Sequence, residues 1–261
     1  LHGFPSSSHM YRNLIVALQD KFNLIAPDYP GFGNSDNPLS DSFSYTFDNL
    51  AKIMEHFIEK MELEKISLYV QDYGAPIGFR IASKHPKKIQ SLIIQNGNAY
   101  EEGIGSAFDP IRKLWKERTR ETEAPIHELL KLKSTKNQYL DGAHRPEKNS
   151  PDSWNMDQYF LDRPGNADIQ IQLQYDYQNN LKRYEEWHIY FRNYQPPTLI
   201  VWGKNDKFFI QEGALAYKRD LKDTEVHLLD TGHFALEEEY ETIANRIIDF
   251  FKKKNILSNK V

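Results

Sequence analysis

The residues most able to do chemistry form a separated set of three: Asp72, Asp206 and His233. Asp72 lies in Val70-Gln71-Asp72-Tyr73-Gly74-Ala75-Pro76-Ile77-Gly78, between an apolar run and a helical stretch. That context suits a sharp strand-to-helix turn, which lifts one side chain above a sheet and aims backbone N–H groups at the reacting atom. Serine is the usual residue there, within G-x-S-x-G; here Val70 stands at the first glycine position, Asp72 replaces serine and Gly74 keeps the close approach. A lone aspartate at a strand end is commonly a turn or cap residue. Chain order argues otherwise. An acid and then a histidine follow at two further strand ends, Asp206 in Trp202-Gly203-Lys204-Asn205-Asp206 and His233 in Thr231-Gly232-His233-Phe234, and nucleophile, acid, histidine is the chain order in which catalytic triads built on such a turn are found. A carboxylate nucleophile attacks saturated carbon, either a strained epoxide or a carbon bearing halide, and is left as an ester. His233, oriented by Asp206, would then activate water against that ester.

Positioning such groups takes a sheet whose strands end on one edge. Short apolar runs separated by amphipathic stretches mark parallel strands buried on both faces. The runs are Phe22-Asn23-Leu24-Ile25-Ala26, Ile66-Ser67-Leu68-Tyr69-Val70, Leu92-Ile93-Ile94, Thr198-Leu199-Ile200-Val201-Trp202 and Glu225-Val226-His227-Leu228-Leu229. Each ends in polar or Gly-containing residues, where open α/β sheets keep their sites. Helical spacing is clear over Asp48 to Lys60, Ala75 to His85 and Ile243 to Lys253. From Ala99 to about Tyr194 the pattern becomes helical and rich in Lys, Glu, Gln, Tyr and Trp with no convincing strand. This gives a core of residues 1–98 and 195–261 and a helical cap of 99–194, with Pro196-Pro197 marking re-entry into the last strands. Lys252-Lys253-Lys254 and the residues to Val261 read as a solvated helix end and a frayed terminus.

Two further loops belong to the same edge. In His2-Gly3-Phe4-Pro5 a backbone N–H, that of Phe4, would form half of an oxyanion hole, and the N–H of Tyr73, after the nucleophile, the other half. Such a loop follows a buried strand, so the sequence is expected to begin inside the fold, with strands, and any signal peptide, upstream of Leu1. Asp28-Tyr29-Pro30-Gly31-Phe32-Gly33-Asn34-Ser35-Asp36 is Gly-rich but lacks the Gly-Lys-Ser/Thr of a phosphate-binding loop, and reads as structural.

Composition limits the alternatives. The 261 residues carry 33 Lys and Arg against 37 Asp and Glu, a net charge of −4, which offers no basic footprint for nucleic acid. No apolar tract is long enough to span a bilayer. The absence of cysteine excludes a disulfide framework, a thiolate nucleophile and a Cys-ligated metal, and accords with a cytoplasmic location. No metal, nucleotide or flavin motif is present, so no cofactor is expected. Oligomeric state leaves no signal in the sequence.

With these motifs in place, the chain resembles the α/β-hydrolase superfamily over essentially its whole length, and within it the branch of epoxide hydrolases and haloalkane dehalogenases that use an aspartate nucleophile. The matching residues are His2-Gly3-Phe4-Pro5, Asp28-Tyr29-Pro30-Gly31-Phe32-Gly33, Gln71-Asp72-Tyr73-Gly74, Asp206 and Gly232-His233-Phe234. The resemblance implies a mostly parallel sheet flanked by helices, an inserted helical lid, and a small apolar organic substrate with water. Dehalogenases of this branch hold the departing halide with indole or amide N–H groups, commonly from a Trp after the nucleophile, where this chain has Tyr73. Epoxide hydrolases use lid tyrosines to protonate the opening oxygen and commonly carry His-Gly-Phe/Trp-Pro, as here. Tyr177 stands where that lid tyrosine is expected, with Tyr139 and Tyr159 as candidates for a second and Trp154 as a further lid contact; packing of the lid is the competing role for all four. Gln71 is more like some dehalogenases, and Tyr73 matches neither typical pattern. An epoxide hydrolase-like activity leads, with haloalkane or haloacid dehalogenation next and a non-catalytic binding protein on the same scaffold third.

Overall fold

The structure, a computed structural model, describes residues 1–256. Four parallel strands form one sheet in the order β1 (Ile66–Gln71), β2 (Ile89–Gln95), β3 (Thr198–Gly203), β4 (Thr224–Leu229). Helices α1 (Arg12–Leu18), α2 (Phe47–Lys60) and α3 (Gly74–Lys84) precede β2. Between β2 and β3 come α4 (Asp109–Lys116), α5 (Arg120–Leu129), α6 (Leu132–Leu140), α7 (Pro151–Leu161), α8 (Asn166–Asp176), α9 (Gln178–Leu181) and α10 (Tyr184–Tyr194). α11 (Gln211–Ala216) joins β3 to β4, and α12 (Ala235–Lys253) follows β4. The expected strand-helix alternation is therefore present, as is the helical stretch between β2 and β3. No described helix is long and apolar enough to cross a membrane.

Alternation along the strands divides the core into two. Leu68, Val70, Leu92, Ile94, Ile200 and Trp202 face one cluster with α2 and α3. Ile93, Leu199 and Val201 face the other, with α1 and α12. Because successive strand residues point to opposite faces, strands covered on both sides read as the unbroken apolar runs seen in the sequence. Helix α2 begins where the Thr46 side chain accepts from the Asn49 N–H at 3.1 Å, a cap worth about 1 kcal/mol. Its first N–H, on Phe47, donates to Asp176 of α8 at 2.8 Å, tying the inserted helices to the core.

Two expectations change. Phe22–Ala26 is not a strand: it has no ladder partner among the described residues, and Leu24 and Ile25 are exposed. The edge of β1 away from β2 is met instead by Leu1, whose carbonyl accepts from the Gln71 N–H at 3.1 Å. An apolar run becomes a strand only by pairing, and among the described residues this one meets no partner strand. Helix α12 starts eight residues earlier than its apolar spacing suggests, because the run across Glu239 is kinked, with non-helical φ/ψ at that residue (−121°, 21°). The tail beyond Ile256 lies outside the described residues.

Candidate active site

All three strand-end candidates meet on the C-terminal edge of the sheet. Asp72 follows β1 in a left-handed backbone conformation, φ 48°, which most non-glycine residues avoid but Asp and Asn tolerate. Its N–H donates to the Asn96 carbonyl (3.2 Å), and its own carbonyl accepts from the Ala75 N–H (3.0 Å), so the turn is anchored to both β2 and α3. Close approach is built in around it. A Cβ on Gly74 would stand 2.1 Å from the Leu1 carbonyl oxygen, and one on Gly3 would stand 2.3 Å from the Asp72 Cβ.

His233 is buried, and its Nδ1 donates to Asp206 Oδ2 at 2.7 Å, while its Nε2 faces Asp72 Oδ2 at 3.9 Å. Asp206 is itself fixed: Oδ1 accepts from the Phe208 N–H at 2.7 Å, and Oδ2 also accepts from the Asn96 amide at 2.8 Å. A carboxylate with three donors holds the imidazole in one orientation and one tautomer. Burial opposes protonation of His233, but the charges of Asp206 and Asp72 outweigh it and hold the imidazole above its ordinary pKa.

Asp72 shows the opposite balance. Burial pushes its carboxyl up to about 6, against the pull of His233 and of the backbone N–H groups of Phe4 and Tyr73. The Phe4 N–H donates to Asp72 Oδ1 at 2.7 Å. The Phe4 N–H therefore already addresses the carboxylate oxygen that would become the oxyanion if the side-chain carbonyl of an ester on Asp72 were attacked, as such stabilisation needs.

Over the carboxylate sits a cage of aromatic rings. Tyr177 is fully buried, with its ring centroid 6.0 Å from Tyr73, 5.5 Å from Phe47, 5.1 Å from Phe108 and 6.1 Å from the parallel ring of Trp115. The hydroxyls of Tyr73 and Tyr177 are buried, and neither has a partner of hydrogen-bonding geometry among the described residues. Burial, with Tyr184 and Asp72 adding, holds Tyr177 well above the ordinary tyrosine pKa; burial and then Asp72 do the same for Tyr73. Both are therefore neutral O–H donors, close enough to Asp72 to feel its charge.

The other lid candidates are placed elsewhere. The Tyr139 hydroxyl is taken by Asp157 and its ring stacks on Phe234 at 4.0 Å, so it reaches the site only through its packing. Trp154 packs 6.0 Å from Tyr139 in that same cluster. Tyr159 is 69% exposed on the outer face of α7, which removes it from any role as a proton donor to a buried substrate. Helical spacing shows which residues share a face, but not which face turns inward.

Three contacts are not foreshadowed by the motifs. Gln71 reaches His233, Asn96 supports Asp206, and Tyr184 lies buried beside Tyr177, its hydroxyl accepting from Asn98 at 3.2 Å. Asn96 carries a usable signal, since it ends a strand as Asp72 does and shares its left-handed backbone, φ 41°. Tyr184 carries none. His2 is structural: it stacks on Tyr29 at 4.1 Å, and burial lowers its pKa to about 4. Among the described residues no cluster of His, Cys, Asp and Glu could hold a metal ion.

Known proteins share this architecture. A family model described as alpha/beta hydrolase fold matches residues 1–240. The chain is 40% identical over 255 residues to the uncharacterized hydrolase YNR064C of Saccharomyces cerevisiae, covering 96% of this chain and 87% of that one. Among solved structures, it superposes on a point mutant of the haloalkane dehalogenase DatA from Agrobacterium tumefaciens with a TM-score of 0.79 at 18% identity, covering 96% and 88% of the two chains. The epoxide hydrolase CorEH gives 0.75 at 19% identity over 97% and 90%. At such identities these two structures share the fold and nothing finer. Taken with the sheet and its strand-end residues, the family match means that this chain belongs to the α/β-hydrolase fold family and is a hydrolase.

Proposed function

We propose that the protein hydrolyses epoxides through an ester on Asp72, with residues 99–194 acting as the cap that buries the substrate. Asp72 attacks one epoxide carbon; that C–O bond breaks, and its electron pair passes to the epoxide oxygen, which takes a proton from Tyr177 or Tyr73. Water, losing a proton to His233 Nε2, then adds to Asp72 Cγ, and the resulting oxyanion is held by the N–H groups of Phe4 and Tyr73. Collapse expels the diol oxygen, which takes the proton from His233. The proton released as Asp72 returns to its carboxylate restores the tyrosine, so the sum is epoxide plus water to diol.

The observation that carries this reading is the pair of buried hydroxyls on Tyr73 and Tyr177, neither with a partner of hydrogen-bonding geometry among the described residues, although the Tyr177 hydroxyl lies near enough to that of Tyr184 for the two to influence one another. A buried donor without an acceptor is costly, and its usual explanation is a partner that arrives with function. An opening epoxide needs a proton, which a neutral tyrosine supplies; a departing halide needs none. The indoles of Trp115 and Trp202 are engaged, the first with the Gln174 carbonyl at 2.8 Å and the second with the Phe209 carbonyl at 2.9 Å; the Trp187 indole has no partner among the described residues, but its ring packs against Phe79 and Tyr184 rather than against Tyr73 or Tyr177.

The test is a panel of styrene oxides and haloalkanes, assayed for diol and for halide release, with mass spectrometry of His233→Gln. Diol formation lost in Asp72→Ala, and a substrate-sized ester on Asp72 in His233→Gln, support the reading. Halide release without diol formation transfers the same site to dehalogenation. No turnover and no ester from either class refutes a catalytic Asp72.

A further inference from the structure

Gln71 ends β1 immediately before the elbow, and its side chain is buried inside the site. Its Nε2 lies 3.0 Å from His233 Nε2, closer than the nearest Asp72 oxygen at 3.9 Å. With His233 Nδ1 committed to Asp206 at 2.7 Å, Nε2 is the nitrogen left to accept a proton, and the amide N–H of Gln71 occupies its lone pair. The other end of the amide is idle: Gln71 Oε1 is buried and has no donor among the described residues. A Cβ built on Gly3 would fall 2.5 Å from this oxygen and 2.5 Å from Asp72 Oδ1. Amide and carboxylate thus flank the same point beside the oxyanion hole.

A water activated by His233 against an ester on Asp72 must bind Nε2 and lie next to Asp72 Cγ. The Gln71 amide nitrogen, 3.0 Å from Nε2, holds the first of these two positions. We propose that Gln71 is a positioning residue for the hydrolytic water: its amide nitrogen occupies the base in the free enzyme, then yields to water and accepts that water's second hydrogen with Oε1. One hydrogen of the water then points at His233 Nε2 and the other at Gln71 Oε1, leaving an oxygen lone pair free for Asp72 Cγ. The proton passes to Nε2 and the C–O bond forms at Cγ, as in the overall mechanism; Gln71 gains and loses no covalent bond. Ester formation uses neither the water nor the base, so only the second half-reaction depends on Gln71. This inference rests on the reading of Asp72 as nucleophile.

Rapid-quench and intact-mass measurements with styrene oxide separate the two half-reactions. In Gln71→Met, which keeps the side-chain length and removes both polar atoms, ester formation is expected within about twofold of the parent while ester decay slows by about 10²-fold. Gln71→Glu keeps an acceptor oxygen and is expected to recover part of the decay rate. Its carboxylate beside Nε2 favours the imidazolium, moving the pH profile of decay upward. A merely structural role would slow both half-reactions together and leave that profile in place; either result, or an unchanged decay in Gln71→Met, overturns the assignment. If His233→Gln traps no ester, the nucleophile reading fails and this one with it. An ester trapped there, with normal decay in Gln71→Met, sinks the Gln71 role alone.

Discussion

Replacing Asp72 by Asn should make the protein more stable, and increasingly so as pH rises. Raising a carboxyl from its ordinary 3.8 to about 6 means that the fold holds the ionised form about 3 kcal/mol less favourably than the unfolded chain does. The sign follows from proton binding. Below about pH 4 the carboxyl is protonated in both states and contributes no difference; between about pH 4 and about pH 6 the unfolded chain ionises while the native state does not, and stability falls. Above about pH 7 the whole cost is present. His233, raised by Asp206 and Asp72 against its own burial, adds in the same direction, since its stabilisation exists at low pH and is lost as pH rises through its folded pKa. Asn keeps the shape, tolerates the left-handed backbone of this position, and still offers an oxygen to the Phe4 N–H. Urea and thermal unfolding of the parent and Asp72→Asn across this range should give curves that coincide near about pH 4 and separate by about 3 kcal/mol near about pH 8, roughly 5–10 °C in Tm for a chain of this size. A variant no more stable than the parent near about pH 8, or a gap that does not change with pH, refutes the argument that Asp72 is a buried and costly charge.

The same titration governs activity: with Asp72 near about 6, its ionised fraction drops from about nine-tenths at pH 7 to about one-tenth at pH 5, so the burst rate of ester formation should fall about tenfold over that interval in rapid-quench experiments. Asp206→Asn removes the charge beside His233 Nδ1 and turns one of two acceptor oxygens, which now serve His233, Asn96 and the Phe208 N–H, into a donor; ester decay should slow by about 10³-fold or more while the ester accumulates on Asp72 in mass spectra. Gly3→Ala would drive a methyl to within 2.3 Å of the Asp72 Cβ; turnover should vanish and urea unfolding should show a loss of about 1–3 kcal/mol. Tyr177→Phe deletes a buried hydroxyl that has no partner of hydrogen-bonding geometry among the described residues, so calorimetry should find stability unchanged within about 1 kcal/mol, while ester formation from an epoxide slows by about 10²-fold. Equal loss of activity and stability in that variant would make Tyr177 a packing residue.

What can be read from the sequence tracks what is local. Asp72, Asp206 and His233 are legible because each directly follows a strand or its turn, and parallel strands deliver their ends to one edge; the register that sets Gln71 beside Gln95 and Gln95 beside Val201 does the rest. The inserted helices are legible as helices, yet their inward faces are not. Tyr139, Tyr159 and Tyr177 look alike in sequence, and only tertiary packing turns Tyr177 toward Tyr73, Tyr139 toward Phe234 and Tyr159 into solvent. Gln71 stands out as an unusual neighbour of the nucleophile, but its reach to His233 spans 162 residues of chain and leaves no periodic trace. Phe22–Ala26 has the composition of a strand without being one, because pairing is what makes a strand.

Asp72 works against the fold in two separable ways. Its backbone is left-handed, a conformation that costs a side-chain-bearing residue of order 1 kcal/mol or more, and its carboxyl is buried against its own ionisation. Neither cost is offset by an ion pair of the usual kind, because His233 stands at 3.9 Å and is directed by its other nitrogen to Asp206. What the surroundings supply instead are the Phe4 N–H on one carboxylate oxygen, an imidazole held off the other, and two buried hydroxyls without a partner of hydrogen-bonding geometry among the described residues. Such a residue is poorly suited to turn-making or capping, where asparagine or glycine would serve with less strain and no charge. It is suited to a carboxylate that must be poorly solvated to be nucleophilic and must be released again as a carboxylate after water has done its part. Stability that rises when Asp72 is neutralised, in the same protein whose ester formation disappears, is therefore the joint signature that separates a nucleophile from a turn residue at this position.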